Sequence, residues 1–164
     1  MKILKSILFD VAIALTILLF LNLFFIEEFV VKGNSMAPSI FPGERILVLK
    51  FPIGRIKRCD VVVFWYPNDP SKTFIKRIAG LPGENVEIKK GTLFINGRKD
   101  SHRCIKVPED ANIKMRIPVG FYFVLGDNKE VSNDSRYGWL VPREFLRGKA
   151  IAVYWPLVDM RFIK

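Results

Sequence analysis

The sequence predicts a mostly β fold, an antiparallel sandwich or barrel-like domain behind one N-terminal transmembrane helix. Two observations lead to this prediction. The first is a long apolar segment near the N-terminus of the 164-residue chain. The second is a series of short segments, rich in β-branched and aromatic residues, which follow it between turns that contain Gly or Pro. The part of the chain after the apolar segment has the length of a single domain. The sequence contains no internal repeat.

The apolar segment covers residues 7–26 and reads ILFDVAIALTILLFLNLFFI. Twenty residues in a helix span about 30 Å, the thickness of the hydrocarbon core of a bilayer. Lysines precede the segment and two glutamates follow it. This pattern predicts a cytoplasmic N-terminus at residues 1–6 and an extracytoplasmic domain at residues 27–164, held at the inner (plasma) membrane. The alternative is a cleaved signal peptide, whose apolar region is usually only about 7–15 residues long and ends at a small-x-small site. The apolar segment of this chain is longer, which argues against cleavage.

The predicted strands lie between turns marked by Gly, Pro, Asn and Asp. In chain order they cover residues 45–50, 60–66, 73–79, 85–88, 92–95, 120–125 and 149–155. Asn96-Gly97 follows the fifth of them and predicts a hairpin with a two-residue type I′ turn. Residues 99–118 are polar with little periodicity and predict an irregular segment. Pro142 predicts one helical turn over residues 142–146.

The chain is basic, with a formal net charge of +10. A basic surface suits either nucleic acid or anionic lipid headgroups. The sequence has no helix-turn-helix pattern, no zinc-finger spacing and no basic run with interleaved aromatic residues. Beside a membrane anchor, the expected partner for this charge is therefore membrane lipid and not nucleic acid.

The two cysteines, Cys59 and Cys104, are too few and too far apart for a zinc site or a Cys-x-x-Cys redox motif. They form one disulfide if the domain lies outside the cytoplasm, or they are two buried thiols. The sequence leaves both alternatives open. We expect no metal and no cofactor.

One candidate nucleophile, Ser35, lies just past the apolar segment in the stretch GNSMAP at residues 33–38. A serine nucleophile needs a base to accept its proton. The single histidine, His102, lies among polar residues typical of a surface loop, which argues against a Ser-His-Asp triad. The alternative is that the stretch is only a turn between two apolar segments.

Lys76 is the candidate base, because it lies in the mostly apolar strand predicted at residues 73–79. A lysine with the ordinary pKa of about 10.4 must lose about 2–3 pKa units to act near neutral pH, and burial among apolar groups has this effect. Other lysines, such as Lys89, Lys90, Lys99 and Lys129, lie in turns or polar runs. An outward-facing side chain beside Arg77 is equally compatible with the pattern.

A third group of polar residues, GDNKEVSNDSRYG at residues 126–138, follows the strand predicted at residues 120–125. Loops at strand ends often carry function, and pairs of Asp and Arg can form bidentate hydrogen bonds. The alternative is a solvated surface loop of Asx turns.

Taken together, these three stretches resemble the bacterial signal peptidase I family, membrane-bound proteases that remove signal peptides from exported proteins. Residues 33–38 resemble the family's nucleophile box, and residues 76–84 (KRIAGLPGE) resemble its lysine box. Residues 126–136 resemble its Gly-Asp-Asn…Ser-x-Asp-Ser-Arg box. The boxes occur in the family's order, and the resemblance extends from the anchor to near the C-terminus.

The resemblance implies roles for single residues. Ser35 matches the nucleophile and Lys76 its general base, and Ser132 matches the serine that orients the lysine amine. The residues that match the ion pairs bracing the site are Asp127, Asp134 and Arg136.

Three departures from the family pattern bear on the geometry of the site. The backbone N–H of Ser35 is one expected oxyanion donor. In some members a serine two residues earlier is the second donor, but here that position is Gly33, so the second donor stays open. Residues 129–131 read Lys-Glu-Val where the family block reads Arg-Asp-Asn, and residues 136–139 exchange the family's Trp and Gly.

Members of the family cut after small residues in an Ala-x-Ala pattern, because shallow apolar pockets admit little more. By resemblance, the residues that line these pockets are Val31, Met36, Ile40, Phe74 and Ile75. Ordinary core packing is the alternative role for each of them. We expect the signal peptide to bind as an added strand. Apolar tips at Phe41-Pro42 or Phe51-Pro52-Ile53 are predicted to enter the bilayer near the site.

The function predicted from these residues is that of a membrane-anchored serine endopeptidase that removes signal peptides. One alternative is a relative dedicated to a single pilin or conjugation protein. Another is a self-cleaving Ser-Lys protein like the SOS repressors, against which the anchor and the lack of a DNA-binding domain count. The alternative from a different class is a non-catalytic, anchored β domain that binds peptides. The joint presence of Ser35, Lys76 and Ser132 argues against it.

Overall fold

The structure, a computed structural model, describes residues 2–50 and 55–163. Helix α1 (Lys2–Phe25) leads directly into strand β1 (Ile26–Val30). Within the residues whose side chains the structure describes, no helix is long and apolar enough to cross a membrane. The tip at Phe51-Pro52-Ile53, predicted to contact lipid, lies outside the described residues.

Within the described residues, twelve strands form two antiparallel sheets. In chain order they are β1 (Ile26–Val30), β2 (Arg45–Lys50), β3 (Val61–Tyr66), β4 (Asp69–Gly80), β5 (Asn85–Lys89), β6 (Thr92–Ile95), β7 (Arg98–Lys99), β8 (Ile113–Arg116), β9 (Phe121–Leu125), β10 (Val141–Pro142), β11 (Leu146–Trp155) and β12 (Arg161–Phe162). The larger sheet has the order β1-β2-β11-β3-β4-β9-β10, with β12 beside β11. The smaller sheet has the order β7-β6-β5-β8.

Strand β3 shows how the larger sheet places apolar groups on both of its faces. Successive side chains of a strand point to opposite faces, so Val61 and Val63 join one core cluster while Val62 and Phe64 join another. The first core cluster consists of Val31, Met36, Ile40, Ile46, Val48, Val61, Val63, Ala150 and Val153, with Phe29 and Ile75 packed against it. Full burial of each such side chain contributes about 1.5–3 kcal/mol, which fixes β3 and its neighbour β4 in the sheet.

The smaller sheet packs over a third core cluster that includes Val86, Ile88 and Phe123. Strand β4 reaches this cluster at Gly80, where an added Cβ would lie 2.4 Å from Ile117 and 2.9 Å from Val86. Glycine is therefore required there by close packing.

The predicted strands all occur, with ends that differ by a few residues. The hairpin turn has positive φ at both central residues, 51° at Asn96 and 79° at Gly97, as a type I′ turn requires. Helical geometry after Pro142 is limited to a 3₁₀ turn at Arg143–Phe145.

The strands that the sequence did not reveal are β1, β8, β10 and β12. Strand β1 carries two glutamates on an edge of the sheet, and β10 and β12 have two residues each. Residues 99–118 are not wholly irregular, because they contain β8, whose exposed Lys114 and Arg116 alternate with partly buried apolar residues.

Cys59 and Cys104 form a disulfide with 5.9 Å between their Cα atoms. This selects the first of the two alternatives left open by the sequence. The bond ties the segment just before β3 to the long connection between β7 and β8.

Candidate active site

Ser35 lies in a 3₁₀ turn, Asn34–Met36, between β1 and β2. The backbone N–H of Ala37 donates to the carbonyl of Asn34, and that of Ile40 donates to Met36. Met36 is fully buried in the first core cluster and anchors the turn. Ser35 itself is only partly buried, so its hydroxyl is accessible while its backbone is held in place.

Lys76 lies in β4 with only 3% of its surface exposed. Its Nζ lies 2.7 Å from the Oγ of Ser35 and donates to the carbonyl oxygen of Ile75 at 3.0 Å. The ring centroid of Phe74 is 5.1 Å from the same Nζ. The structure thus brings together the nucleophile and the base that the sequence predicted, at hydrogen-bonding distance.

Burial lowers the pKa of Lys76 from 10.5 to about 8. The carboxylates of Asp134 and Asp127 act in the opposite direction and limit this fall. Near pH 8 about half of the Lys76 amines are therefore neutral and able to accept a proton. The outward-facing alternative for Lys76 is wrong.

Asp127 forms a bidentate ion pair with Arg77, the residue that follows Lys76. The Nε and Nη2 of Arg77 each donate to a carboxylate oxygen of Asp127 at 2.7 Å. A third donor, Nη1 of Arg77, bonds the carbonyl oxygen of Cys59 at 2.7 Å. This buried pair connects β4 to the loop after β9 and to the segment that carries the disulfide.

Asp134 and Arg136 form a second pair, which organises the loop itself. The side chain of Asp134 is fully buried, accepts from the backbone N–H of Gly126 at 2.9 Å, and accepts from Arg136 Nε at 2.7 Å. Arg136 also donates to the carbonyl oxygens of Lys129 and Ser132. The polar loop is therefore an interlocked structure and not a solvated surface loop.

The hydroxyl of Ser132 is buried and, within the described residues, has no hydrogen-bond partner. The hydrogen bond expected between Ser132 and Lys76 is thus not formed here. Ser132 packs against Gly126, where an added Cβ would lie 2.1 Å from the Ser132 Oγ and 2.5 Å from the carbonyl oxygen of Ser35. The backbone N–H of Asn128 donates to that Ser35 carbonyl at 3.0 Å.

A cleft of about 940 Å³ opens beside the Ser35–Lys76 pair. One wall is formed by residues 28–33 of and after β1, and the other by residues 71–76 of β4. Of the predicted pocket residues, Val31, Phe74 and Ile75 line the cleft. Met36 and Ile40 do not line it, and both are fully buried in the first core cluster. In this structure both residues have the alternative role, ordinary core packing.

Three residues of the site were not singled out from the sequence: Arg77, Gly126 and Asn128. A charged residue in the middle of an apolar strand was a signal for Arg77, since such a side chain needs a buried partner. The other two act through backbone atoms and close packing, which composition does not reveal. Among the described residues, no group of His, Cys, Asp and Glu is arranged to hold a metal ion.

Comparisons with known proteins identify the family of the chain. The family described as signal peptidase, peptidase S26, matches residues 3–155. The chain is 34% identical to a signal peptidase I of Bacillus licheniformis, over 92% of this chain and 88% of that protein. It is 33% identical to a signal peptidase IB of Staphylococcus aureus (strain MRSA252), over 93% and 90% of the two chains.

A solved structure is similar as well. The crystal structure of a signal peptidase I from Enterococcus faecalis V583 superposes with a TM-score of 0.52 at 33% sequence identity. The match covers 59% of this chain and 97% of that one. With a family match over most of its length and relatives at about one-third identity, the chain belongs to the signal peptidase family, peptidase S26.

Proposed function

We propose that this chain is a membrane-bound signal peptidase I, a serine endopeptidase that removes signal peptides from exported preproteins. Ser35 is the nucleophile and Lys76 is the general base. The observation that carries the assignment of these roles is the 2.7 Å contact between the buried amine of Lys76 and the hydroxyl of Ser35. The family match supports the activity itself.

The reaction follows from this contact. Neutral Lys76 takes the proton of Ser35 while the Oγ attacks the scissile carbonyl carbon, which forms a tetrahedral intermediate. The lysine then gives the proton to the leaving amine, and the peptide bond breaks to leave an acyl-enzyme. A water molecule, deprotonated by Lys76, attacks the ester and releases the signal peptide, and the proton returns to Ser35.

The surrounding groups hold this arrangement in place. The Asp127–Arg77 pair fixes β4 next to Lys76, and the Asp134–Arg136 pair fixes the loop that carries Ser132. The backbone N–H of Ser35 is one oxyanion donor. A second donor in place of the family's serine is not assigned, because Gly33 has no side chain.

The cleft suits an extended peptide. Strand β1 is an edge of the larger sheet, and within the described residues β9 pairs with β4 only from Arg77 onward, so both walls present open strand edges. A peptide between them can pair with both backbones. Val31 and Ile75 then face its alternate side chains and leave room for small residues, as an Ala-x-Ala pattern requires.

The membrane location rests on the sequence. Residues 7–26 are the anchor, residues 1–6 are cytoplasmic, and residues 27–164 form the extracytoplasmic peptidase domain. The Cys59–Cys104 disulfide supports this placement, since disulfides persist in oxidising compartments. Membrane lipid is the second partner. Phe41, which is 49% exposed, contacts it beside the site.

The test uses full-length protein in detergent with a precursor that carries an Ala-x-Ala site. Wild type is expected to cut after the second alanine, and Ser35→Ala and Lys76→Ala to lose the cut. Ser39→Ala and Lys114→Ala are the matched controls, because neither residue lines the cleft, and both should keep it. Binding of the precursor without any cut by wild type would favour the peptide-binding domain. A cut confined to one precursor in a panel would favour a dedicated peptidase.

A further inference from the structure

Arg147 of β11 contacts both walls of the cleft. Its Nη1 donates to the Oγ1 of Thr73 on β4 at 3.2 Å, and its Nη2 forms an ion pair with Glu27 on β1. The guanidinium carbon lies 4.6 Å from the ring centroid of Phe29 and 5.6 Å from that of Trp65. One cation thus links the two open strand edges.

These contacts lie at the end of the cleft away from Ser35. Phe29 and Thr73 both line the cleft. Thr73 precedes Lys76 by three residues, which is about 10 Å along an extended strand. Glu27 lies two residues past α1, so the Arg147 end of the cleft is also the end where the helix joins the domain.

In an extended substrate peptide, one particular residue lies beside Arg147. The assignment of that residue rests on the proposed function. Alternate side chains of a strand point the same way. If the first and third residues before the scissile bond face Val31 and Ile75, on the side of the first core cluster, the fifth residue faces that side as well. It lies about 13 Å from the scissile bond, at the level of Arg147.

We propose that Arg147 and Glu27 form a charged subsite that selects the substrate residue fifth before the scissile bond. Both side chains are accessible, with 25% and 29% of their surfaces exposed. The guanidinium lies against Thr73 and Phe29, which line the cleft, so a side chain of a bound peptide at this level can reach it. An acidic or hydrogen-bond-accepting side chain is favoured there, and a cationic one is disfavoured.

The experiment compares two otherwise identical fluorogenic peptides that have Asp or Lys at this position. Wild type is expected to favour Asp by about two- to fivefold in kcat/KM, carried by KM, as for a solvent-exposed charge pair. Arg147→Met should reverse the preference, because the carboxylate of Glu27 remains. Glu27→Gln should enlarge it. Arg143→Met removes an exposed arginine of the same β10–β11 region and should change nothing.

A shortened peptide and added salt test whether the preference comes from the charges of the proposed subsite. A peptide that begins at the first alanine should show no effect of Arg147→Met on KM, and added salt should reduce the Asp preference of the longer peptides. The same Asp preference in wild type, Arg147→Met and Glu27→Gln would overturn the subsite. So would an equal loss of kcat on long and short peptides.

Two controls show whether a negative result comes from a misfolded variant, from a wrong proposed function or from the absence of the subsite. If thermal unfolding shows that Arg147→Met does not fold, the preference measured with Glu27→Gln decides. Binding of the two peptides to Ser35→Ala, followed by fluorescence anisotropy, measures the preference without any cleavage. An Asp preference in binding but no cleavage by wild type would refute the proposed function and leave the subsite in place.

Discussion

The amine of Lys76 lies 2.7 Å from the hydroxyl of Ser35, although 41 residues separate the two in sequence. Lys76 lies in the long strand β4 of the larger sheet, and Ser35 lies in a 3₁₀ turn anchored by Met36. The contact places a buried cation in a mostly apolar region, which has consequences for stability as well as for chemistry.

Replacement of Lys76 by methionine should stabilise the fold near neutral pH. The pKa of Lys76 is lowered by burial from 10.5 to about 8, so between these values the unfolded chain holds more protons and stability rises with pH. Below about pH 8 both states are protonated, and the full cost, roughly 3 kcal/mol, is present. Lys76→Met should therefore gain most at pH 7, and the gain should shrink as the pH rises toward about 10.5.

Thermal unfolding in detergent at several pH values measures this difference. Lys72→Met is the matched control, because Lys72 is 64% exposed and pairs with Asp69 at the surface. It should show no pH-dependent gain. A Lys76→Met variant that is less stable than wild type across the whole pH range would contradict the assignment of a destabilising buried amine.

Asp127→Asn should move the activity to lower pH. Burial is the main cause of the lowered pKa of Lys76, and Asp127 partly counteracts it. Without that carboxylate the pKa falls further, so more of the amine is neutral at a given pH. The rate–pH profile should therefore shift to lower pH, while the loss of a buried ion-pair partner destabilises the protein by about 3–5 kcal/mol. Asp69→Asn, at an exposed surface pair, should shift neither, and an unmoved profile in Asp127→Asn would count against the electrostatic link.

Gly126→Ala should abolish most of the activity. The added Cβ would meet the Ser132 Oγ at 2.1 Å and the Ser35 carbonyl oxygen at 2.5 Å, so the nucleophile's backbone must shift. A displacement of about 1 Å can cost about 100-fold in rate. Gly97→Ala is the control, because it lies in the hairpin turn outside the cleft, where its positive φ of 79° makes the substitution affect stability and not the cleavage rate. Peptide cleavage rates for the two variants check this, and equal rates would mean that the close approach at Gly126 is not needed.

Removal of the disulfide should reduce stability without a direct effect on the Ser35–Lys76 contact. Cys59 and Cys104 close a loop with a sequence separation of 45, and such a bond contributes about 2–4 kcal/mol. The double variant Cys59→Ala and Cys104→Ala should unfold at a lower temperature than wild type. Reductant should lower the unfolding temperature of wild type and leave the variant unchanged. Equal unfolding temperatures would indicate that the bond does not contribute.

The parts predicted from sequence were those with strong local patterns. The Val-rich β3 and the Asn96-Gly97 turn are each specified within a few residues. The three polar stretches could be recognised as boxes, and the structure brings Ser35 and Lys76 together as expected.

What the sequence did not predict depends on contacts between distant segments. Met36 was expected by resemblance to line a pocket, with core packing as the alternative, and the structure buries it fully in the core. The bond from Arg77 to the Cys59 carbonyl uses a backbone group whose position only the folded sheet determines. Arg147 reads as one more surface cation in a basic chain, and its contacts with Glu27 and Thr73 span 120 and 74 residues of sequence.

The pH dependence of kcat/KM for an Ala-x-Ala peptide tests the Ser35–Lys76 assignment most directly. With neutral Lys76 as the base, the rate should rise with pH through an apparent pKa of about 8, and Lys76→Ala should remove both the rate and this dependence. A rise centred near the pKa of an ordinary histidine, about 6.5, would contradict the account. So would cleavage that persists in Lys76→Ala with the wild-type profile.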